Sequence, residues 1–229
     1  MRILAVVPAR CGSKRLPNKN IMELDGKPLI QWTLESVEGI EEVCDTLIST
    51  DCPEIAELSS SLGGWAPWLR PIDLATDEAT TVEVALHALN WYEEKHGTVT
   101  GLMILQPTSP FRRKSTIVQG IRTFKDFNYR PVIGVSESES HPQWCLKQEG
   151  EFLIPFISPD KAANSSQDLT PSFSPNGTFY LMSPQYLREE KSLGHIKSIP
   201  LYVSSKKEAI DIDTESDFLL AQYMVNQGY

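Results

Sequence analysis

Two short stretches at opposite ends of the chain hold residue types that could do chemistry together. Near the start the sequence reads Pro8-Ala9-Arg10-Cys11-Gly12-Ser13-Lys14-Arg15-Leu16-Pro17-Asn18-Lys19-Asn20. Arg10, Lys14 and Lys19 supply cations, Ser13 a hydroxyl, Gly12 a backbone position open to close approach, and Asn20 an amide that both donates and accepts. This set suits a phosphate-bearing ligand, although neither G-x-x-x-x-G-K-[ST] nor G-x-G-x-x-G can be laid on it. On residue types alone, a solvated basic turn is the alternative. Near the end stands Ile210-Asp211-Ile212-Asp213. In extended chain, residues two apart share a face, which puts the two carboxylates about 6–7 Å apart. Like charges held so close need a cation between them or a proton on one. A hard divalent ion meets that need, Mg²⁺ first where phosphates are bound. The competing reading is a pair of acids at the N-terminus of the last helix, favoured by its dipole.

Two further stretches are candidates. Gln106-Pro107-Thr108-Ser109-Pro110 presents Gln106, Thr108 and Ser109 from a frame stiffened by two prolines, or is simply a structural turn. Arg70, with the Asp77 to Thr81 segment at a helix start, could hold a base or a phosphate.

The elements that must position these residues follow an alternating pattern. Ile3-Leu4-Ala5-Val6-Val7 reads as a strand buried on both faces, running straight into the basic loop. Pro28 opens a helix ending near Gly39, and Thr46 to Thr50 is a second strand. A helix bearing Ile55, Leu58 and Leu62 follows, then a short extended piece, Trp68-Leu69-Arg70. Thr80 and Glu83 form a capping box for a helix. Strands at Leu102–Leu105 and Val132–Val135 flank a helix carrying Ile117, Ile121 and Phe124. Strand, loop and helix in repetition predict a doubly wound, mostly parallel α/β sheet of Rossmann type, in which ligands bind at the carboxyl ends of strands. Residues 136–175 break the pattern, with Phe152-Leu153-Ile154 as their one clear strand. That segment is a long surface excursion or an arm that packs on another subunit. Strands return at Gly177–Met182 and Ile199–Val203, and Thr214 with Asp217 caps the terminal helix.

Composition narrows the partners. The 229-residue chain carries 21 basic and 30 acidic residues, a formal net charge of −9. That argues against broad binding to nucleic acid or anionic membrane, which needs a positive field. Cys11, Cys44, Cys52 and Cys145 lack C-x-x-C spacing and read as free thiols of a reducing compartment. His87, His96, His141 and His195 are scattered. No apolar run approaches membrane-spanning length, so a cytoplasmic protein is expected.

Taken in order, these pieces resemble the cytidylyltransferases that activate nonulosonic acids. Pro8 to Asn20 is similar to that family's P-A-R-x-G-S-K-x-x-P-x-K-N loop, and Leu105 to Arg112 to its L-Q-P-T-S-P-[LF]-R. Pro175-Asn176-Gly177-Thr178-Phe179-Tyr180 is similar to P-N-G-x-[IF]-Y, and Ile210 to Thr214 to I-D-I-D-T. The resemblance implies transfer of CMP from CTP to the anomeric hydroxyl of a nonulosonic acid, with Mg²⁺ and release of pyrophosphate. It implies Arg10, Lys19 and Asp211 as catalytic residues, with Arg10, Ser13, Lys14, Asn20, Arg70 and Thr81 on the nucleotide. Gln106, Thr108, Ser109 and Asn176 fall to the sugar, and Asp211 and Asp213 to the metal. It further implies one cytidylyltransferase domain over residues 1–229, with 136–175 as the arm of a homodimer. Two departures bear on the sugar. Ser174 stands where many sialic acid enzymes have Arg, and Gln143-Trp144-Cys145 follows His141-Pro142 where they carry Lys. Trp144-Cys145 and Pro67-Trp68-Leu69-Arg70 look more like the legionaminic acid branch, with N-acetylneuraminic acid as the next choice. A Kdo-activating enzyme of the same chemistry and a non-catalytic nucleotide-binding subunit are the remaining alternatives.

Overall fold

The protein is described from a computed structural model, over residues 1–157, 169–194 and 197–227. His195 and the central part of the 136–175 excursion lie outside the described residues.

The chain opens with β1 (Ile3–Pro8), then the basic loop, then a small hairpin of β2 (Glu23–Leu24) and β3 (Lys27–Pro28). Its Asp25-Gly26 turn sits at positive φ on both residues. There follow α1 (Leu29–Val37), β4 (Val43–Ser49), α2 (Pro53–Ser61), α3 (Thr81–His96), β5 (Gly101–Ile104), α4 (Lys114–Asp126) and β6 (Val132–Glu137). A second hairpin, β7 (Leu146–Glu149) and β8 (Phe152–Pro155), precedes β9 (Phe173–Met182), α5 (Pro184–Glu190), β10 (Ile199–Tyr202) and α6 (Glu215–Asn226).

The main sheet has the order β10-β6-β9-β5-β1-β4. β1 lies one strand in from the β4 edge, parallel to β4 on one side and to β5 on the other. Its residues are apolar on both faces because both faces are covered. Ile3, Ala5 and Val7 pack with Ile30 and Leu34 of α1, and with Ile117, Ile121 and Phe124 of α4. Leu4 and Val6 pack with Ala85, Leu89 and Tyr92 of α3. Three layers result, and the expected doubly wound, mostly parallel architecture is the one found. β9 is the exception, antiparallel to both β5 and β6. It arrives from the excursion instead of over a crossover helix, and parallel pairing requires such a crossover.

A third cluster decides where the chain's end goes. Phe218 and Ala221 of α6 pack with Leu16 of the basic loop, Leu24, Leu29, Phe111 and Ile212. The terminal helix, held by its Thr214–Asp217 capping box, is thereby fastened beneath the loop that opens the chain.

Several boundaries differ from the expectation. Ile210 to Asp213 is not a strand: Ile212 N–H donates to Thr108 O at 2.8 Å, in the loop after β5. The inward–outward alternation survives without a ladder because Ile212 is fully buried. β7 escapes the sequence pattern since Leu146-Lys147-Gln148-Glu149 is exposed throughout. β9 starts at Phe173, and its pairing of Ser136 with Ser174 and Glu137 with Phe173 draws both ends of the excursion into the main sheet.

Gly120, inside α4, tests this packing. A methyl group there would run into the ring of Phe179, which is fully buried in β9. Gly120→Ala is expected to destabilise the fold by about 1–3 kcal/mol despite alanine's better helix propensity. Urea unfolding measures this, and combining the change with Phe179→Leu should recover part of the loss.

Candidate active site

The carboxyl ends of β1, β4 and β5 face a cavity of about 580 Å³. Its lining includes Arg10, Ser13, Lys14, Lys19, Asn20, Arg70, Thr81, Gln106, Thr108, Asp211 and Asp213. The structure therefore brings four separated stretches of sequence to one place.

The basic loop is a built frame. Ala9 N–H donates to Ser49 O at 2.9 Å, carrying the β1–β4 pairing past the last strand residue. Cys11 N–H donates to Asp51 Oδ1 at 2.8 Å. Buried Asn20 donates Nδ2–H to Arg10 O at 2.9 Å, tying the loop's end to its start. Gly12 (φ 70°) and Asn18 (φ 55°) take the left-handed turns between these ties.

The cations are paired across the cavity. Arg10 donates Nη1–H to Thr76 O at 2.8 Å and lies 2.7 Å from Asp77 Oδ1, while Lys14 pairs with the other oxygen of Asp77. Lys14 and then Arg10 hold the Asp77 carboxyl below the usual range. On the facing side, Lys19 Nζ is 2.7 Å from Asp213 Oδ1, and Arg15 is 3.5 Å from Oδ2. Asp77 enters the sequence reading only as the start of the segment paired with Arg70, Arg15 carries no role there, and no motif marks their pairings with these cations and acids.

Arg70 follows Leu69, which bridges to Thr50 beyond the end of β4. Its guanidinium is buried, donating from Nε to Ser49 Oγ at 3.0 Å and from Nη2 to Ser49 O. Burial pulls its pKa down to about 10, so it stays charged at neutral pH. Thr81 stands at the first position of α3, behind the Thr80 cap.

The acidic pair is asymmetric. Asp213 is engaged by Lys19 and Arg15, whereas among the described residues no cation forms an ion pair with Asp211. Asp211 is solvent-exposed and lines the cavity. Desolvation by the protein around it, with the nearby charge of Asp213, shifts its carboxyl above the ordinary range, against a hydrogen bond from Thr108 and the attraction of Lys19. No cluster of three or more His, Cys, Asp or Glu side chains suited to a metal occurs among the described residues. Two carboxylates on one wall fit a divalent ion that takes its other ligands from water and phosphate.

Ser109 and Asn176 stand outside the cavity lining. Ser109 is fully buried and its hydroxyl has no hydrogen-bond partner among the described residues. The Asn176 amide is engaged within the protein: Oδ1 accepts from Thr178 N–H at 3.2 Å and from Thr178 Oγ1 at 2.6 Å, and Nδ2–H donates to Ser136 Oγ at 2.8 Å. The turn it holds places Gly177 (φ 75°), where a Cβ would stand 2.8 Å from Gln106 Oε1, 3.2 Å from Ser109 Oγ and 3.4 Å from Asp211 Oδ2. Glycine is required there on two counts, its φ and the closeness of three polar side chains.

The sequence model of the cytidylyltransferase family matches residues 4–214. The chain is 35% identical to a CMP-N,N'-diacetyllegionaminic acid synthase of Legionella pneumophila, over 98% of this chain and 97% of that protein. It is 30% identical to an N-acylneuraminate cytidylyltransferase of Escherichia coli, over 96% of this chain, which spans 51% of that longer protein. It is 28% identical to a pseudaminic acid cytidylyltransferase of Campylobacter jejuni, over 99% of this chain and 98% of the other. Among solved structures, a CMP:2-keto-3-deoxy-manno-octonic acid synthetase complexed with CTP has the same fold, with a TM-score of 0.72 over the full length of both chains at 15% identity.

Asp77 occupies the cations that a phosphate chain would use. Asp77→Asn should therefore tighten binding of inorganic tripolyphosphate by about fivefold, the scale of two exposed ion pairs released. Titration calorimetry of wild type and variant at one ionic strength measures it.

Proposed function

The chain belongs to the cytidylyltransferase family, and from that premise we propose that it transfers CMP from CTP to the anomeric hydroxyl of a nonulosonic acid, releasing pyrophosphate. Legionaminic acid is the first choice of acceptor and N-acetylneuraminic acid the second. The carrying observation is that Arg10, Lys14, Lys19, Gln106, Thr108 and Asp211 line one cavity.

In this reading the triphosphate enters the basic loop and takes Arg10 and Lys14 from Asp77, with Ser13 and the loop's N–H groups as further donors. Arg70 and Thr81 face the nucleoside. The acceptor lies toward Gln106 and Thr108. Its hydroxyl oxygen bonds to the α-phosphorus as the bond to the β-phosphate oxygen breaks; the electron pair leaves with pyrophosphate, and the hydroxyl proton passes to a carboxylate of the Asp211–Asp213 pair or through it to water. Positioning and neutralisation of charge by Arg10 and Lys19 supply most of the catalysis. Asp211 and Asp213 would hold Mg²⁺, which neutralises phosphate charge when bound.

We assign Ser109 and Asn176 to the support of the sugar side, from behind Gly177. The exposed apolar groups Trp144, Leu146, Phe152, Leu153 and Phe156, on and beside the β7–β8 hairpin, support its assignment as the arm of a homodimer. Four free cysteines and a CTP-dependent reaction favour a cytoplasmic setting. The likeness to the 2-keto-3-deoxy-manno-octonic acid enzyme, at 15% identity, concerns the fold alone.

Pyrophosphate release from CTP, measured with a panel of legionaminic, N-acetylneuraminic, pseudaminic and 2-keto-3-deoxy-manno-octonic acids, should be fastest with the first. CTP binding without release on any of them would make the protein a nucleotide-binding subunit instead. Asp211→Asn is expected to cut kcat by at least about 100-fold while leaving the unfolding midpoint close to wild type. Near-normal turnover at saturating Mg²⁺ would refute its role. Light scattering should give twice the chain mass, and Phe152→Glu with Leu153→Glu should give the monomer.

A further inference from the structure

Arg112 lies 4% exposed behind the cavity wall, and no role in binding or chemistry has been given to it above. Its guanidinium donates from Nε to Thr178 O, from Nη2 to Gln106 O at 2.8 Å, and from Nη1 to Thr33 Oγ1 at 3.5 Å. These partners come from β9, from the loop after β5, and from α1. Burial lowers its pKa to about 10, opposed by the charges of Glu208 and Asp211. Glu208 is itself 4% exposed; it accepts Arg113 N–H at 3.1 Å, its carboxylate lies 3.6 Å from Arg113 Nε, and its charge acts on Arg112 without an ion pair between them among the described residues.

The place where this fork sits explains its use. β5 and β9 pair only as far as Ile104 with Tyr180. The β6–β9 ladder pairs Ile133 with Tyr180 and next Val135 with Pro175, so the residues from Asn176 to Phe179 bulge out of register there. Both neighbours of β9 thus part from it where Gln106 and Thr178 lie. The planar guanidinium supplies donors to a carbonyl on each side of the gap, which a single ammonium cannot match in geometry. The bulge so fixed carries Gly177, against which Gln106, Ser109 and Asp211 converge.

We propose that Arg112 is a positioning residue for the acceptor half of the reaction: by bridging Gln106 and Thr178 it sets the spacing between the Gln106 loop and the Gly177 bulge, and with it the acceptor's place beside Asp211. This inference rests on the transfer reaction proposed above. The nucleotide half, built from the β1 loop and Arg70, makes no hydrogen bond to Arg112 and is independent of it.

The test is Arg112→Lys, which keeps the charge and loses the fork. CTP affinity by calorimetry should stay within about twofold of wild type, whereas KM for the sugar acid should rise at least about tenfold and kcat fall about tenfold. A folded variant with unchanged sugar KM and kcat, or with CTP affinity lost in equal measure, would overturn the proposal. Should the lysine variant fail to fold, Thr33→Val removes only the Nη1 partner. It must then show the same selective loss, about threefold, and unchanged sugar kinetics there would equally reject Arg112. Wild type inert toward every sugar acid would instead sink the reaction itself, which keeps the two failures distinct.

Discussion

The parallel alignment of β4, β1 and β5 is the constraint on which the site depends. β1 pairs with Val43–Ser49 on one side and Gly101–Ile104 on the other, with all three strands pointing the same way. Their loops must then open at one edge, whatever their sequences. The cations of the first loop, the extension that carries Arg70 and the proline-framed Gln106 loop meet because of this shared direction. β9 uses the opposite rule to the same end: being antiparallel, it passes that edge at its own bulge and delivers Gly177 there. The carboxylates come by a third route. Ile212 buries itself with Leu16, Phe111 and Phe218, and Asp211 and Asp213 flank it toward the cavity.

Charge within that edge is balanced locally and not by the molecule as a whole. A net charge of −9 gives no long-range attraction for an anion. Four cations gathered in one loop would repel one another, and two acids on the facing walls settle them: Asp77 holds Arg10 and Lys14, and Asp213 holds Lys19 and Arg15. These ties keep the long side chains in place, so a ligand meets an arranged set of donors. The same ties compete with the ligand, and the exposure of Asp77, 43%, keeps that competition weak.

Most of this was readable from the sequence wherever local chemistry and periodicity agreed. Ile3 to Val7 declares a strand covered on both faces, Thr80 with Glu83 and Thr214 with Asp217 declare helix starts, and the loop's cations declare an anion site. What escaped was set by distance in sequence. Nothing near Arg112 shows that its guanidinium would reach β9, and nothing near Glu208 marks it as the acid held by Arg113 at the start of α4. Asn176 is a different case. The resemblance assigns it to the sugar, and its amide is engaged by Thr178 and Ser136 within the bulge. At Asp211–Asp213 the alternation implies extended chain, and alternation and strand are usually one signal. Here a single backbone bond from Ile212 to Thr108 and the burial of one side chain produce the alternation alone.

That last arrangement separates the two carboxylates in a way that bare spacing does not. Asp213 faces Lys19 and Arg15, so its charge is met before any ligand arrives. Asp211 sits a residue pair earlier beside Gly177, Ser109 and Thr108, exposed on the cavity side and met by no ion pair among the described residues. Its charge is left for a cation that arrives from the cavity. The glycine opposite, the proline-stiffened loop beside it and the buried Arg112 behind it all keep that approach open and its walls rigid. In the transfer reaction proposed above, the chemistry turns on the less satisfied acid of the pair, around which the glycine, the proline-framed loop and Arg112 are arranged.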